Sequence, residues 1–302
     1  MIHFRPPAPA RRIQQILRAS LSYLLFGAVL VVSAVLPSPA TAKKDLVLGI
    51  HPYLPPAELQ QVFTPLVREL EEHLGLSVSL SIAENYDSHI RAVGHGKVDI
   101  AFLGPASYVQ LVRQHGPHPL LARLEVNGSP LLSGVIFVAD KSPIKRLEQL
   151  RGKRFAFCDR ESTMGYLVPL FMLERAGVAP DSLAVQAHLS DHENVVLGVL
   201  TGDFDAGAAK DDIFDRYRPQ GLRSLAVSPP VSEHVFVARK KLASDMVSRV
   251  RDVLLHLADD PAGAQTLRSI RADATALVPV ADRDYDRLRT MLDAVAPGGQ
   301  EP

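Results

Sequence analysis

One order of elements occurs twice in this chain, and that repeat narrows its architecture more than any other feature. LVLGI (46–50) is a short apolar run, broken off by Pro52, Pro55 and Pro56. Apolar residues at Leu59, Val62, Phe63, Leu66, Val67, Leu70 and Leu74 then recur at helical spacing until Gly75 closes the helix. SVSLSI (77–82) alternates as a strand does, a helix begins near Asp87, and GKVDIAFLGP follows as a buried strand ending in Gly104-Pro105. The same order returns 106 to 108 residues later. RFAFC (154–158) answers LVLGI, a helix from Met164 to Ala176 ended by Gly177 answers the first helix, and LAVQAH (183–188) answers SVSLSI. GDFDAGAAKDD (202–212) answers GKVDIAFLGPA (96–106), with Gly202 opposite Gly96 and Asp205 opposite Asp99. Identity between the halves is thin, but four elements in one order at nearly one offset imply two similar α/β lobes.

The connections sharpen this. SGVIFVAD (133–140) and EHVFVARK (233–240) flank the second lobe and read as two paired hinge strands. The expected division is a leader at 1–42, lobe one at 43–138 plus 234–302, and lobe two at 139–233. The tail from Ser244 is helical by its Met246, Val250, Val253, Leu254 and Leu257 spacing and is expected to pack on lobe one. In open α/β sheets ligands lie beyond the carboxyl ends of the strands. Two such edges facing each other across a hinge form a cleft that can close. The loops to inspect are therefore 51–56, 104–108, 159–166 and 208–212.

Composition sets the compartment. Arg5, Arg11, Arg12 and Arg18 form a positive segment without an acid, Leu21 to Leu36 is almost wholly apolar, and Ala40-Thr41-Ala42 offers a cleavage site. That order is a secretory signal peptide, which places the mature chain outside the cytoplasmic membrane. Its removal leaves 29 basic against 33 acidic residues, a poor balance for binding nucleic acid. An anionic ligand would need a local site instead. The one cysteine, Cys158, excludes an internal disulfide framework.

The loops supply that local chemistry. Ser162, Thr163, Met164 and Gly165 lie at a predicted helix start, where free N–H groups and partial positive charge favour an anion. The same hydroxyls also serve as an ordinary N-cap. Lobe one offers Tyr53, Ser107 and Tyr108, whose hydroxyls donate without adding charge, although either tyrosine also fits a half-buried packing role. Lobe two offers Lys210, to neutralise an anion, and Asp211 and Asp212, to accept from a protonated ligand atom; a solvated loop is the alternative. HLSDHE (188–193) resembles a metal motif, but His188 ends a strand and His192 starts a helix, so they need not share a face. His192 and Glu193 read better as caps or minor ligand contacts. No G-x-S-x-G, H-E-x-x-H or phosphate-loop signature occurs. No base can be assigned to Cys158, so the chain reads as a binder, not an enzyme, with neither cofactor nor metal.

With these residues in place the chain resembles the periplasmic binding proteins of phosphonate, phosphite and phosphate ABC transporters, over roughly 45–290. The likeness rests on the first strand with Tyr53, F-L-G-P-x-S-Y (102–108), S-T-x-G-Y-L-x-P (162–169), and the His192-Glu193 pair with the later G-x-x-D-A-G-A. It implies a type II two-lobed binding fold that closes around a small oxyanion and delivers it to a membrane permease. It further implies that Ser162, Thr163 and the backbone after them grip the anion from lobe two. Tyr53 and Tyr108 would contribute from lobe one, while Glu193 and an acid near Asp211 would meet the rest of the ligand. Phosphonate binders often read S-T-S-G-H, whereas Met164 and Tyr166 stand here, so ligand choice is sought at those two positions. Some relatives are instead sensors that present an oxyanion, including arsenic oxyanions, to a histidine kinase; in arsenite-sensing relatives a cysteine is the ligand, which draws Cys158 toward the cleft.

Overall fold

The computed structural model describes residues 46–295, so the leader expected at 1–42 lies outside them. The first run gives β1 (Leu46–Ile50), α1 (Pro56–Leu74), β2 (Val78–Ile82), α2 (Tyr86–Gly94), β3 (Ile100–Leu103), α3 (Pro105–His115) and β4 (Leu120–Val126). A short β5 (Leu131–Leu132) leads to β6 (Gly134–Ala139) and β7 (Arg154–Phe157). A π-helical turn at Thr163–Leu167 then enters α4 (Val168–Arg175), followed by β8 (Val185–His188), α5 (His192–Leu200), β9 (Ala206–Lys210) and α6 (Asp211–Tyr217). The chain returns through β10 (Leu222–Val227), β11 (Val231–Ser232) and β12 (Val235–Ala238), and ends in α7 (Ser244–Leu255), α8 (Pro261–Ile270), β13 (Ala274–Val278) and α9 (Asp286–Val295).

Two large sheets result, in the orders β13-β4-β12-β3-β1-β2 and β10-β6-β9-β7-β8, beside a two-stranded one, β11-β5. Each repeat forms a parallel trio, β2-β1-β3 and β8-β7-β9, with its first strand in the middle. The aligned aspartates explain why the halves keep a common pattern. Asp99 Oδ2 accepts from Val47 N at 2.9 Å, and Asp205 Oδ2 accepts from Arg154 N at 2.8 Å, so each ties the third strand of its trio to the first. Gly96 and Gly202, just ahead of them, turn at φ of 72° and 83°, a region in which a Cβ is unfavourable.

The hinge departs from the expectation. The runs 133–140 and 233–240 do not pair with each other. β6 lies antiparallel to β9 in the second sheet, and β12 lies antiparallel to β3 in the first. Both strands are buried almost throughout, and such strands need a neighbour on each side. The segments that pair at the crossing are the two-residue strands β5 and β11. The expected boundary at 138/139 therefore falls inside a strand of the second sheet, and the crossing lies at 131–133. α7 packs on β4 and α1, in line with the expected docking of the tail, and α9 touches both α3 and α4. Apolar layers cover each face of both sheets, and one of them joins Met164 and Val168 to Tyr108, Leu132, Val231 and Tyr285.

Candidate functional site

The carboxyl ends of the two parallel trios meet around an inner recess lined by His51, Tyr53, Tyr86, Ser162, Thr163 and Met164, with His192, Lys210 and His234. Outside it opens a cleft of about 490 Å³ that shares Tyr53, Lys210 and His234 and adds Asp212 and Arg271. Two helix starts face each other here. α3 begins at Gly104-Pro105 without a side-chain cap, and the N–H of Ala106 donates instead to Thr163 Oγ1 of the other lobe at 3.0 Å. Ser162 caps its own turn, its Oγ accepting from Gly165 N at 3.1 Å. Cap and cleft wall are thus the same residues.

The recess is rich in neutral donors. Burial, before any other cause, raises the pKa of Tyr53 and Tyr86 well above the ordinary tyrosine value and keeps both phenols protonated. Burial and the nearby Lys210 bring His192 down to about 3, so its ring is neutral. Its Nδ1 accepts from Lys210 N at 3.3 Å and lies 3.1 Å from Cys158 Sγ, which leaves the proton on Nε2. Cys158 is itself buried, and burial pushes its thiol far up, so the pair is a thiol donating to an imidazole rather than a thiolate nucleophile.

A polar wall closes the outer side. Arg271 bonds Glu233 at 2.8 Å, Asp273 at 2.9 Å and Asp211 at 3.3 Å, and Asp212 lies 3.8 Å from both Arg271 and Lys210. Burial would raise Asp212, but Lys210 and Arg271 outweigh it and hold the carboxyl at about 2. Glu233 is lowered too, its burial outweighed by His234 and Arg271.

Several expected site residues reach this cleft: Tyr53, Ser162, Thr163, Met164 and Lys210 line the recess, and Asp211 joins the Arg271 wall. Others do not. Tyr108 turns away, its hydroxyl donating to Asp282 at 2.6 Å and its ring packing on Tyr285, because the first turn of α3 points it into the apolar layer. Ser107 is buried beside it without a hydrogen-bond partner among the described residues. Tyr166 packs on Phe157 and His188 outside the recess. Gly165 serves close packing, since a Cβ there would come within 2.5 Å of Cys158 Sγ; its N–H is already bonded to Ser162. Glu193 stands at the rim, bonded to Arg216 at 2.8 Å, while its neighbour His192 enters the recess. His188 bonds the Cys158 carbonyl instead, so the two histidines of HLSDHE go separate ways. A base does stand beside Cys158, contrary to expectation, but it is a neutral acceptor.

Sequence reasoning missed His51, Tyr86, Glu233, His234 and Arg271. The first shares its loop with Tyr53, and Tyr86 starts the helix after β2, whose carboxyl end also faces the cleft. Both followed from the strand-end rule. Arg271 follows no motif; only the return of the chain from α8 brings it to the hinge.

A sequence profile described as "ABC transporter, phosphonate, periplasmic substrate-binding protein" matches residues 48–285. Over 261 residues the chain is 28% identical to the phosphate-import protein PhnD of Mycolicibacterium smegmatis, covering 78% of this chain and 81% of that protein. It is 27% identical over 237 residues to the phosphonates-binding periplasmic protein of Escherichia coli K12, covering 74% and 70% of the two. Its fold is similar to PhnD1 of Prochlorococcus marinus MIT 9301, solved with methylphosphonate, at a TM-score of 0.74 and 21% identity, covering 82% of this chain and 97% of that one.

Proposed function

The chain belongs to the family of periplasmic substrate-binding proteins of phosphonate ABC transporters, and from that premise we propose how it holds its ligand. Such a protein closes around a small oxyanion of the phosphonate, phosphite or phosphate kind and hands it to a membrane permease. The anion enters the inner recess. It meets the Ser162 and Thr163 hydroxyls and the α3 start from two sides, the Tyr53 and Tyr86 hydroxyls from lobe one, and the Nε2–H of His192 from lobe two. The observation that carries this reading is the pair of facing helix starts, lined by protonated phenols and a neutral imidazole with Lys210 at the edge. The unpartnered Oδ1 of Asp212 suits a hydroxyl on the ligand.

Binding without turnover follows from the same geometry. The thiol of Cys158 is protonated and outside the recess lining, so it orients His192 and attacks nothing. Export through a cleaved leader at 1–42 agrees with the periplasmic family. Neither nucleic acid nor cofactor has a role in this reading, and the relatives' names speak of import and binding, so a sensor role with a histidine kinase gains nothing from them.

Calorimetric titration with methylphosphonate, phosphite and phosphate tests the reading. One-to-one binding of at least one of them is expected, and Thr163→Ala weakens it by about 1–3 kcal/mol through loss of a hydroxyl bonded to a charged group. No heat from any of the three would sink the assignment.

A further inference from the structure

Four histidines cluster around the recess, and three of them are tied. His89 Nε2 bonds the Phe102 carbonyl at 3.1 Å, His192 Nδ1 accepts from Lys210 N, and His234 Nδ1 bonds Glu233 Oε2 at 2.6 Å. His51 is not. Its ring is 1% exposed and lines the recess, yet neither nitrogen has a partner among the described residues. A buried polar side chain left unmatched opposes folding, and such groups in native proteins call for an explanation.

The groups that meet the His51 ring are neutral or cationic, and the carboxylates nearby face those cations, Asp212 lying 3.8 Å from Lys210. Tyr53 stacks on it at 4.9 Å and Tyr86 meets it edge-on at 5.2 Å. His89 of α2 is 6.4 Å away and His234, ahead of β12, is 5.3 Å away. Phe102 of β3 lies on another face of His51, and the His51 ring itself stands over Gly104 at the positive start of α3. Lys210 and His192 face it from lobe two. The nearby acid Glu233 is already bonded to His234 and Arg271. Burial first, then His234, His89, Lys210 and His192, keep the ring neutral in this state. An incoming anion reverses the local sign and favours the imidazolium.

We propose that His51 takes up a proton as the oxyanion enters and then donates to one of its oxygens, so that this chain binds its ligand as an imidazolium–dianion pair. The proton comes from solvent, and no bond other than that to the proton is made or broken. The inference rests on the oxyanion reading above and deepens it. It assigns the site a preference for groups able to carry a second negative charge near neutrality, as phosphoryl groups do.

Calorimetry with methylphosphonate at a pH about two units above its second pKa, where the free ligand is already a dianion, in two buffers of different ionisation enthalpy, reads the protons exchanged per ligand bound. Net uptake is expected for the wild type. His51→Gln, and His51→Asn as a second uncharged variant, should bind about tenfold or more weakly and lose the uptake. Net proton release by the wild type, or undiminished uptake by a folded variant, overturns the inference while leaving the oxyanion reading intact. Absence of binding by the wild type overturns both.

Discussion

Gly165 shows how tightly chemistry and packing share the turn at 162–167. Its neighbour across the turn is Cys158, whose backbone N–H donates to the Gly165 carbonyl at 2.9 Å and whose side chain lies where a Cβ would go. A glycine at this place in a binding loop invites the thought of a ligand approaching bare backbone. Here the space is already filled by the protein. Gly165→Ala must push Cys158 aside, and Cys158 is what holds the acceptor face of His192. The substitution is expected to cost about 1–3 kcal/mol of stability by overpacking and to weaken ligand binding through His192. Thermal melts and titration of one sample check both; an unchanged melt would mean that the turn yields without strain. Met164, one of the two departures from the family pattern in this turn, is buried against Gly134 with its sulfur 3.7 Å from Ser228 Oγ. It narrows the recess where a shorter polar side chain would leave room for a donor.

At the scale of elements the repeat has a mechanical cause. The aspartate ahead of the third strand accepts from the backbone at the start of the first strand in both halves, and in both it also meets an arginine: Arg239 for Asp99, Arg154 for Asp205. The first pair is the better shielded, with Asp99 14% exposed against 32% for Asp205. Asp99→Ala is therefore expected to cost about 2 kcal/mol and Asp205→Ala about half that, the more exposed pair being the weaker. Urea unfolding of the two variants decides it, and equal losses would remove shielding as the reason. This is also why the sheets were legible in the sequence. Strand, helix and aspartate recur because each lobe needs them locally. The hinge was not legible, because β6 and β12 look alike as apolar runs and their sheet membership depends on partners 70 to 138 residues away. The site was half legible for the same reason. Ser162, Thr163, Tyr53 and Lys210 lie in loops that the strand-end rule marks, whereas Tyr108 obeys its motif but is turned by helix geometry into the core.

For the whole molecule the decisive group is Arg271, at the end of α8. It bonds Glu233 at the crossing and Asp211 in the second lobe, so one guanidinium ties the first lobe to both. Its own pKa is raised, since four carboxylates outweigh its burial. Asp212, at about 2, and the lowered Glu233 are the reciprocal side of the same network. Their folded-state pKa values lie below the ordinary carboxylate value, so the stability they contribute is fully present above about pH 4 and is lost as pH falls toward about 2. Arg271→Met keeps the bulk and removes the charge. It leaves Glu233, fully buried, with His234 alone, and a broken buried pair of this kind costs about 3–5 kcal/mol. The variant should melt lower than the wild type at neutral pH. Its acid limb should be shallower, because its carboxylates no longer sit so far below their ordinary values. Solution scattering adds the geometric test: without Arg271 the ligand-free chain should show a larger radius of gyration, and methylphosphonate should restore it by joining the lobes through the recess. Equal radii for the two proteins would place the network in the folding of the first lobe and the crossing, with no share in holding the lobes together.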